Sequence, residues 1–298
     1  MNSDPDWNLH RTFLAVVQEG SLSGAARRLG LTQPTVARHI DTLEAAVSAD
    51  LFLRSQHGLI PTEMALDLMP YAESLAATIA ALMRAASGRA GEVRGSVRIS
   101  ASEVVGVEHL PPILARLRRR HPGLIVELVL SNEVDDLLRR EADIAVRMVE
   151  PTQEALVARR LPSIALGLHA HGGYLERRGT PVSVEGLADH DLIGFDQETP
   201  ALRALVDRFP TLNRAAFALR ADSDLAQLAA IRAGFGIGMC QVPIARRDPD
   251  LVRVLADAVA VELGLWIVMH EDLKTSARCR AVFDALSEGM ASPGTSAV

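Results

Sequence analysis

The stretch from Ser21 to Glu44, SLSGAARRLGLTQPTVARHIDTLE, constrains this chain more tightly than any other. Ser21 is a favourable cap for a helix over Leu22 to Leu29, because its hydroxyl takes a free amide of the first turn. Gly30 ends that helix, since a tight turn needs a residue that tolerates positive φ. Thr32 caps a second helix, and Pro34 lies in its first turn, where a missing N–H costs nothing. Ala26, Leu31, Val36, Ile40 and Leu43 have the spacing that packs two short helices across a sharp turn. Gln33, Thr35, Arg38 and His39 remain on the outer face of the second helix, where they suit base edges and phosphates in a major groove. A helical hairpin in an ordinary core is the simpler alternative. The agreement of caps, glycine, proline and polar outer face favours a helix-turn-helix that binds DNA.

The flanks agree. Trp7 to Gln18 reads as a first helix, with Leu9, Phe13, Val16 and Val17 toward the core. Leu51 to Arg54 is a short strand, Ser55 to Leu59 turns around Gly58, and Ile60 returns as its partner. That is a wing, with Arg54 and His57 placed for the phosphate backbone or minor groove. A long helix follows, about Thr62 to Ala86, roughly 35 Å at 1.5 Å per residue. Ala65, Leu68, Ala72, Leu75, Ile79 and Leu82 recur at three- and four-residue steps, the seam of a coiled coil, and point to a dimer. Pro70 is expected to bend the helix. Ser87 to Gly91 breaks it and forms a hinge.

Charge runs against this reading at first sight. The chain of 298 residues has a formal net charge of -6, whereas nucleic-acid binding usually leaves a basic footprint. Within 1–62, Arg11, Arg27, Arg28, Arg38 and Arg54 face Asp4, Asp6, Glu19, Asp41, Glu44 and Asp50. The arrangement then decides. Arg27, Arg28, Arg38, His39, Arg54 and His57 are expected on one surface and the acids elsewhere, with modest affinity per module and several modules acting together.

From Val93 the pattern alternates. Strands are expected at Val97–Ala101, Ile125–Leu130, Ile144–Arg147, Ala165–His169, Leu192–Phe195, Phe217–Arg220, Ile237–Cys240 and Leu265–His270. Helices are expected at Leu110–Arg120, Val134–Arg140, Leu202–Phe209, Asp224–Ala233 and Ser276–Glu288. Repeated βαβ units imply a largely parallel sheet covered by helices. Two such lobes hold a ligand in the cleft between them. The candidate contacts are Ser100 and Ser102, Ser131 and Asn132, Arg147, and Asp222 with Ser223. Strand ends and helix N-termini suit a carboxylate or similar anion, and Arg147 adds a charge-assisted pair. Glu103, Asp222 and Asp224 bring negative charge to the same region and leave a cationic or neutral ligand open.

In order, then, the chain reads as helix-turn-helix, wing, long helix and two-lobed α/β domain. It resembles the LysR-type transcriptional regulators. The resemblance rests on Phe13 to Val17 followed by Glu19 to Ser23, Ala25-Ala26 with Leu29, Thr32 to Val36, Leu43-Glu44 and Leu51 to Arg54. Further matches are Leu110-Pro111 before His121-Pro122, Asp143 to Arg147, and Ala233 to Ile237. The chain departs from the family pattern at Ser48, where glycine is usual, at His57, where a second wing arginine is common, and at Ala37, where a hydroxyl is frequent. It departs again at Thr62-Glu63-Met64-Ala65, in place of a Thr-x-x-Gly opening.

The resemblance implies a winged helix-turn-helix over 1–62, a linker and dimerisation helix over 63–88, and a periplasmic-binding-protein-like effector domain over 89–298. Lobe I of that domain spans about 92–164 and 267–290, and lobe II about 165–266. The DNA-binding set is Ser21, Ser23, Arg28, Thr32, Gln33, Pro34, Thr35, Arg38, His39, Arg54 and His57. Implied partners are double-stranded promoter DNA at interrupted palindromes, a small effector, and a second copy of the chain within a dimer of dimers. RNA polymerase is a candidate further partner.

Other chemistry has little support. Gly234-Phe235-Gly236-Ile237-Gly238 looks like a dinucleotide loop but follows a helix rather than a strand, so a helix cap leading into a strand explains it better. His169, His171 and His190 lack a positioned carboxylate, and no metal is expected. Cys240 in an apolar run reads as packing rather than a redox sensor. No nucleophile elbow, zincin or phosphate-loop pattern occurs, so neither enzymatic activity nor a cofactor is expected. Two widely spaced cysteines exclude a disulfide framework. The polar N-terminus is no signal peptide, and no apolar run spans a bilayer, so a cytoplasmic protein is expected. The alternative from another class is a cytoplasmic solute-binding receptor whose N-terminal domain mediates protein contacts.

Overall fold

The computed structural model describes residues 6–55, 58–87, 91–132, 141–151 and 156–291. His57 and the expected helix at Val134–Arg140 lie outside them. The chain forms two compact units that divide between Ala85 and Ala86.

The first unit holds α1 (Trp7–Glu19), α2 (Leu22–Leu29), α3 (Gln33–Val47), the hairpin β1 (Phe52–Ser55) and β2 (Gly58–Pro61), and α4 (Glu63–Ala86). Its boundaries follow from local chemistry. The Ser21 hydroxyl accepts from the Gly24 amide at 3.1 Å, and Gly30 ends α2 at φ 67°. Thr32 accepts from the Thr35 amide at 3.3 Å. α3 ends at Ser48, also left-handed at φ 55°. A side chain there costs about 1 kcal/mol, which is why glycine suits the position. Phe13, Val16, Ala25, Ala26, Val36, Ile40 and Leu43 form one core. Leu31, expected to join it, is 39% exposed. It sits in the turn itself, beyond the helix crossing.

The wing is fastened at three points. Glu44 Oε1 accepts the amides of Leu51 (2.7 Å) and Phe52 (3.3 Å), the Leu59 amide donates to Gly20 O (2.8 Å), and Phe52 packs against Phe13. Thr62 caps α4 through the Ala65 amide and donates to Asp50 O at 2.9 Å. α4 then runs through Pro70.

The second unit is built on one mixed sheet. Its elements are β3 (Gly95–Ala101), a π-helical turn (Val105–His109), α5 (Leu110–Arg120), β4 (Leu124–Leu130), β5 (Ile144–Arg147), β6 (Leu156–His171), α6 (Gly172–Arg178) and β7 (Leu192–Gly194). They continue with α7 (Pro200–Arg208), β8 (Phe217–Arg220), α8 (Asp224–Arg232), β9 (Ile237–Gln241), α9 (Val242–Ala245), β10 (Leu251–Val254), β11 (Val261–His270) and α10 (Ala277–Ala291). Strand order is β4-β3-β5-β11-β6-β9-β7-β8, with β10 also on β6. The expected parallel pairing holds at the two ends, among β4, β3 and β5 and among β9, β7 and β8. Between them β6 and β11 pair antiparallel with each other and with their neighbours. These two long strands pass from one core to the other. One core contains Val97, Ile99, Ile144, Leu161, Ile164, Leu265 and Phe283; the next contains Leu168, Leu192, Phe217, Ile237 and Val259.

Candidate nucleic-acid interface and effector cleft

On the first unit, charge is sorted by use. Asp6 caps α1 by accepting the Asn8 amide, and Glu44 holds the wing. Glu19 meets Arg28 at 3.4 Å. Arg11, Arg27, Arg38 and Arg54 are exposed, and among the described residues their guanidinium groups have no partner. Asp6, Glu19 and Glu44 are thus held by local partners, whereas Asp41 and Asp50 are exposed beside the four arginines. Local pairing reduces the acidic balance of the surface without cancelling it.

Ser23, Thr32, Gln33, Pro34 and Arg38 are exposed, and Ser21 and Thr35 half-buried. Val36, Ile40 and Leu43 point into the core, so Pro34 and Arg38, about half a turn away, point outward. Arg54 lies on β1 opposite Leu59 of β2. His39 departs from the expectation. It is half-buried, with Nδ1 2.8 Å from Thr12 Oγ1 on α1. Thr12 donates its own proton to Asn8 O at 2.7 Å, so His39 Nδ1 carries the hydrogen and only Nε2 remains for other partners.

The seam of α4 also needs correction. Ala65 and Ala72 are buried in the unit's own core, with Leu68 packed against it. A second apolar stripe lies about 100° around the helix, with Tyr71 76% exposed, Leu82 64% and Leu75 37%, and with Met64 on the same line. Ile79 falls between the stripes and is half-buried. Only Leu75 and Leu82 of the expected seam face outward.

In the second unit, α8 is clasped at both ends by the segment after β3. At its N-terminus Ser223 Oγ donates to Glu103 Oε2 (2.8 Å), and Asn132 Nδ2 donates to Asp224 Oδ2 (3.2 Å). Burial raises the Asp224 carboxyl above its ordinary range, and the nearby Glu103 charge adds to this. At its C-terminus Arg232 forks onto Glu108 at 2.7 and 3.3 Å, and Arg247 donates to Glu108 O at 2.9 Å. The Arg232 hydrogen bond holds Glu108 below the usual carboxylate range. His109 Nε2 meets Gln241 Oε1 at 2.8 Å, and Val104 packs against Leu228, Ile231 and Cys240. Sequence reasoning missed Val104, Glu108, His109, Arg232 and Gln241, for which no local pattern gives a signal.

The expected effector residues therefore separate. Glu103, next to Ser102, joins Asn132 to Ser223, and Ser102 Oγ is buried without a hydrogen-bond partner among the described residues. Asp222 instead accepts the Asp196 and Gln197 amides. Ser131 continues the β3–β4 ladder, its amide donating to Ala101 O at 2.9 Å. Arg147, expected to receive an anion, is 5% exposed and donates to Ser100 Oγ at 2.7 Å and to Val146 O. Alternation along β3 and β5 puts Ser100 and Arg147 on one face, opposite the core of Ile99, Ile144 and Val146.

The remaining polar groups have local uses. His169 is buried with Nδ1 at Gly167 O, and His171 caps α6. His190 lies beside the Tyr174 hydroxyl at 3.3 Å. Burial pushes the Cys240 thiol up to about 11, so it is protonated at neutral pH. Gly234 takes φ 73° after α8, the helix cap expected of that motif. Among the described residues no helix is long and apolar enough to cross a membrane.

A winged helix-turn-helix with Arg11, Arg27, Arg38 and Arg54 exposed, on one chain with a two-lobed α/β domain, defines the class of DNA-binding regulators that carry a ligand-binding domain. The chain belongs to the LysR family of transcriptional regulators. Residues 7–66 match the bacterial regulatory helix-turn-helix protein, lysR family, and residues 90–291 match the LysR substrate binding domain. It is 27% identical to the probable HTH-type transcriptional regulator LtrA of Klebsiella pneumoniae, over 97% of this chain and 95% of that one. The solved CrgA of Neisseria meningitidis, a LysR-type transcriptional regulator, is 25% identical with TM-score 0.59, covering 97% and 99% of the two chains. Full-length CbnR, solved in complex with its target DNA, shares the fold at TM-score 0.68 and 18% identity, covering 95% and 99%.

Proposed function

We propose that this regulator binds promoter DNA through α3 and the wing, as a dimer and dimer of dimers, in the cytoplasm and under control of a small effector. The observation that carries the DNA contacts is that Arg38 and Arg54 are exposed and without a partner among the described residues, while Glu19 and Glu44 are held by local partners. Arg38 reads a base edge. Arg38→Ala is expected to weaken operator binding by about 1–3 kcal/mol. Arg54 meets phosphate, so Arg54→Ala is expected to weaken all sequences alike and flatten the salt dependence. Gel-shift titrations on the chain's own upstream region and on scrambled duplex check both. Unchanged affinity in either variant removes that residue from the interface, and no binding by the wild-type chain favours the solute-receptor alternative.

The effector is proposed to lie at Ser102, Asn132 and Ser223. With Arg147 turned onto Ser100, and with Glu103 and Asp224 in the cleft, a neutral or cationic molecule fits better than an anion. In a thermal-shift screen of the full chain, amines or neutral polar compounds are expected to stabilise. Stabilisation by carboxylates alone would reverse this assignment.

A further inference from the structure

A notch of about 340 Å³ separates the N-terminal half of α1 from α3, lined by Asp6, Asn8, Arg11 and Thr12 on one side and Thr35 and His39 on the other. We propose that this notch receives the DNA backbone, and that Arg11 is a phosphate contact delivered from α1, outside both the helix-turn-helix and the wing. The proposal rests on the DNA-binding reading above and extends its contact surface.

The helical wheel of α3 gives the geometry. Val36 and Ile40 face the core and Arg38 faces outward, which places Thr35 and His39 on one flank. The Thr12–His39 hydrogen bond shows that this flank is the one beside α1. A helix lying in a major groove fills its width and is walled on either flank by a sugar–phosphate strand. On the α1 flank, the strand passes Asn8, Arg11 and Thr12, which share one face at i, i+3 and i+4. Arg11 is exposed and has no partner among the described residues, so its guanidinium is available to a phosphate without first breaking an ion pair. The one carboxylate in the notch, Asp6, is turned onto α1, where its Oδ1 accepts from both the Asn8 amide (2.9 Å) and Asn8 Nδ2 (3.1 Å). The Thr12 bond also fixes the His39 ring with Nε2 as its remaining polar atom, a donor to phosphate when protonated.

The test is a salt titration of the full chain on two duplexes, its own upstream region and a scrambled sequence of equal length, comparing wild type, Arg11→Ala, Arg11→Lys and Arg54→Ala. Each lost phosphate contact lowers the slope of log affinity against log salt by about 0.9, so a bound dimer, which loses two, falls by about 1.8, and between 50 and 200 mM salt wild type is expected to lose about 12-fold more affinity than Arg11→Ala. The effect is expected on both duplexes, and Arg11→Lys is expected to keep the wild-type slope. Thermal melting is expected to be unchanged, because Arg11 is exposed and has no hydrogen-bond or ion-pair partner among the described residues. A wild-type slope in Arg11→Ala while Arg54→Ala flattens, or a loss confined to one duplex, overturns the proposal. If wild type binds neither duplex, the DNA-binding reading falls first, and that outcome is distinct from a normal wild type with an unaffected Arg11→Ala.

Discussion

Leu75→Glu is expected to convert the protein to monomers and to abolish specific operator binding. Leu75 lies on the outward stripe of α4 with Met64, Tyr71 and Leu82, side chains that the chain's own core leaves uncovered. Those positions fall at the a and d places of a heptad, Leu75 and Leu82 at one and Met64 and Tyr71 at the other, so a carboxylate at Leu75 is desolvated in the dimer and solvated in the monomer. Losing the pairing removes the effective concentration that lets two modules engage one palindrome, a factor of about 10²–10⁴. Light scattering at low micromolar concentration and a gel shift on the same sample provide the check. An intact dimer would place the contact elsewhere than this stripe. Charge at Ala72 would act differently, because Ala72 is buried in the unit's own core and its replacement unfolds the domain.

Gly236→Ala is expected to cost about 3 kcal/mol in the second unit, because it overpacks a site made of backbone rather than movable side chain. A Cβ at this position would stand 2.0 Å from Asp191 O and 2.8 Å from Asp191 C. That carbonyl already accepts the Ile237 amide at 2.9 Å, and Leu192 pairs with Ile237 one step on. Relief therefore means separating β7 from β9. For a domain of roughly 200 residues such a cost lowers Tm by about 10 °C. Calorimetry of the full chain reads it directly, and a shift below about 2 °C would show that the Asp191 segment yields cheaply. Gly234→Ala is the milder neighbour, limited to the price of a left-handed alanine.

What could be read from sequence was chemistry that acts over a few residues. Ser21, Gly30, Thr32 and Gly234 each cap or stop a helix by satisfying a neighbouring backbone group, and the boundaries fell where those residues stand. The α4 stripes show where that reasoning ends. Periodicity groups Ala65 with Ala72 and Leu75 with Leu82, but two apolar lines 100° apart both satisfy it. Only the packed domain shows which line its own core takes. β6 was legible only at its end, because Arg159, Arg160 and Pro162 look unlike a buried strand. Pro162 falls where the β6–β11 register is irregular, so its missing N–H breaks no regular ladder bond. The cleft was legible in part. Ser102, Asn132 and Ser223 were found as strand-end and cap residues. Glu103 and Ser223 are 120 residues apart in sequence, and no local pattern announces their hydrogen bond. The burial of Arg147 and its bond to Ser100 were not legible, because a strand-end arginine reads as available until its neighbour on the adjoining strand is known.

The irregularity between Leu263 and Leu265 lies just before the ribbon of β6 and β11 passes from one core to the other: Leu161, Ile164 and Leu265 flank it in the first, and Leu168 and Val261 lie beyond it in the second. A paired ribbon resists sliding, since a one-residue slip turns every inward side chain outward. It resists twisting far less, least of all at a break in its ladder. The connection between the two cores is therefore softer in rotation about the ribbon axis than in translation across it. A change in the cleft can then be passed on as an angle, with the sheet that carries it left intact.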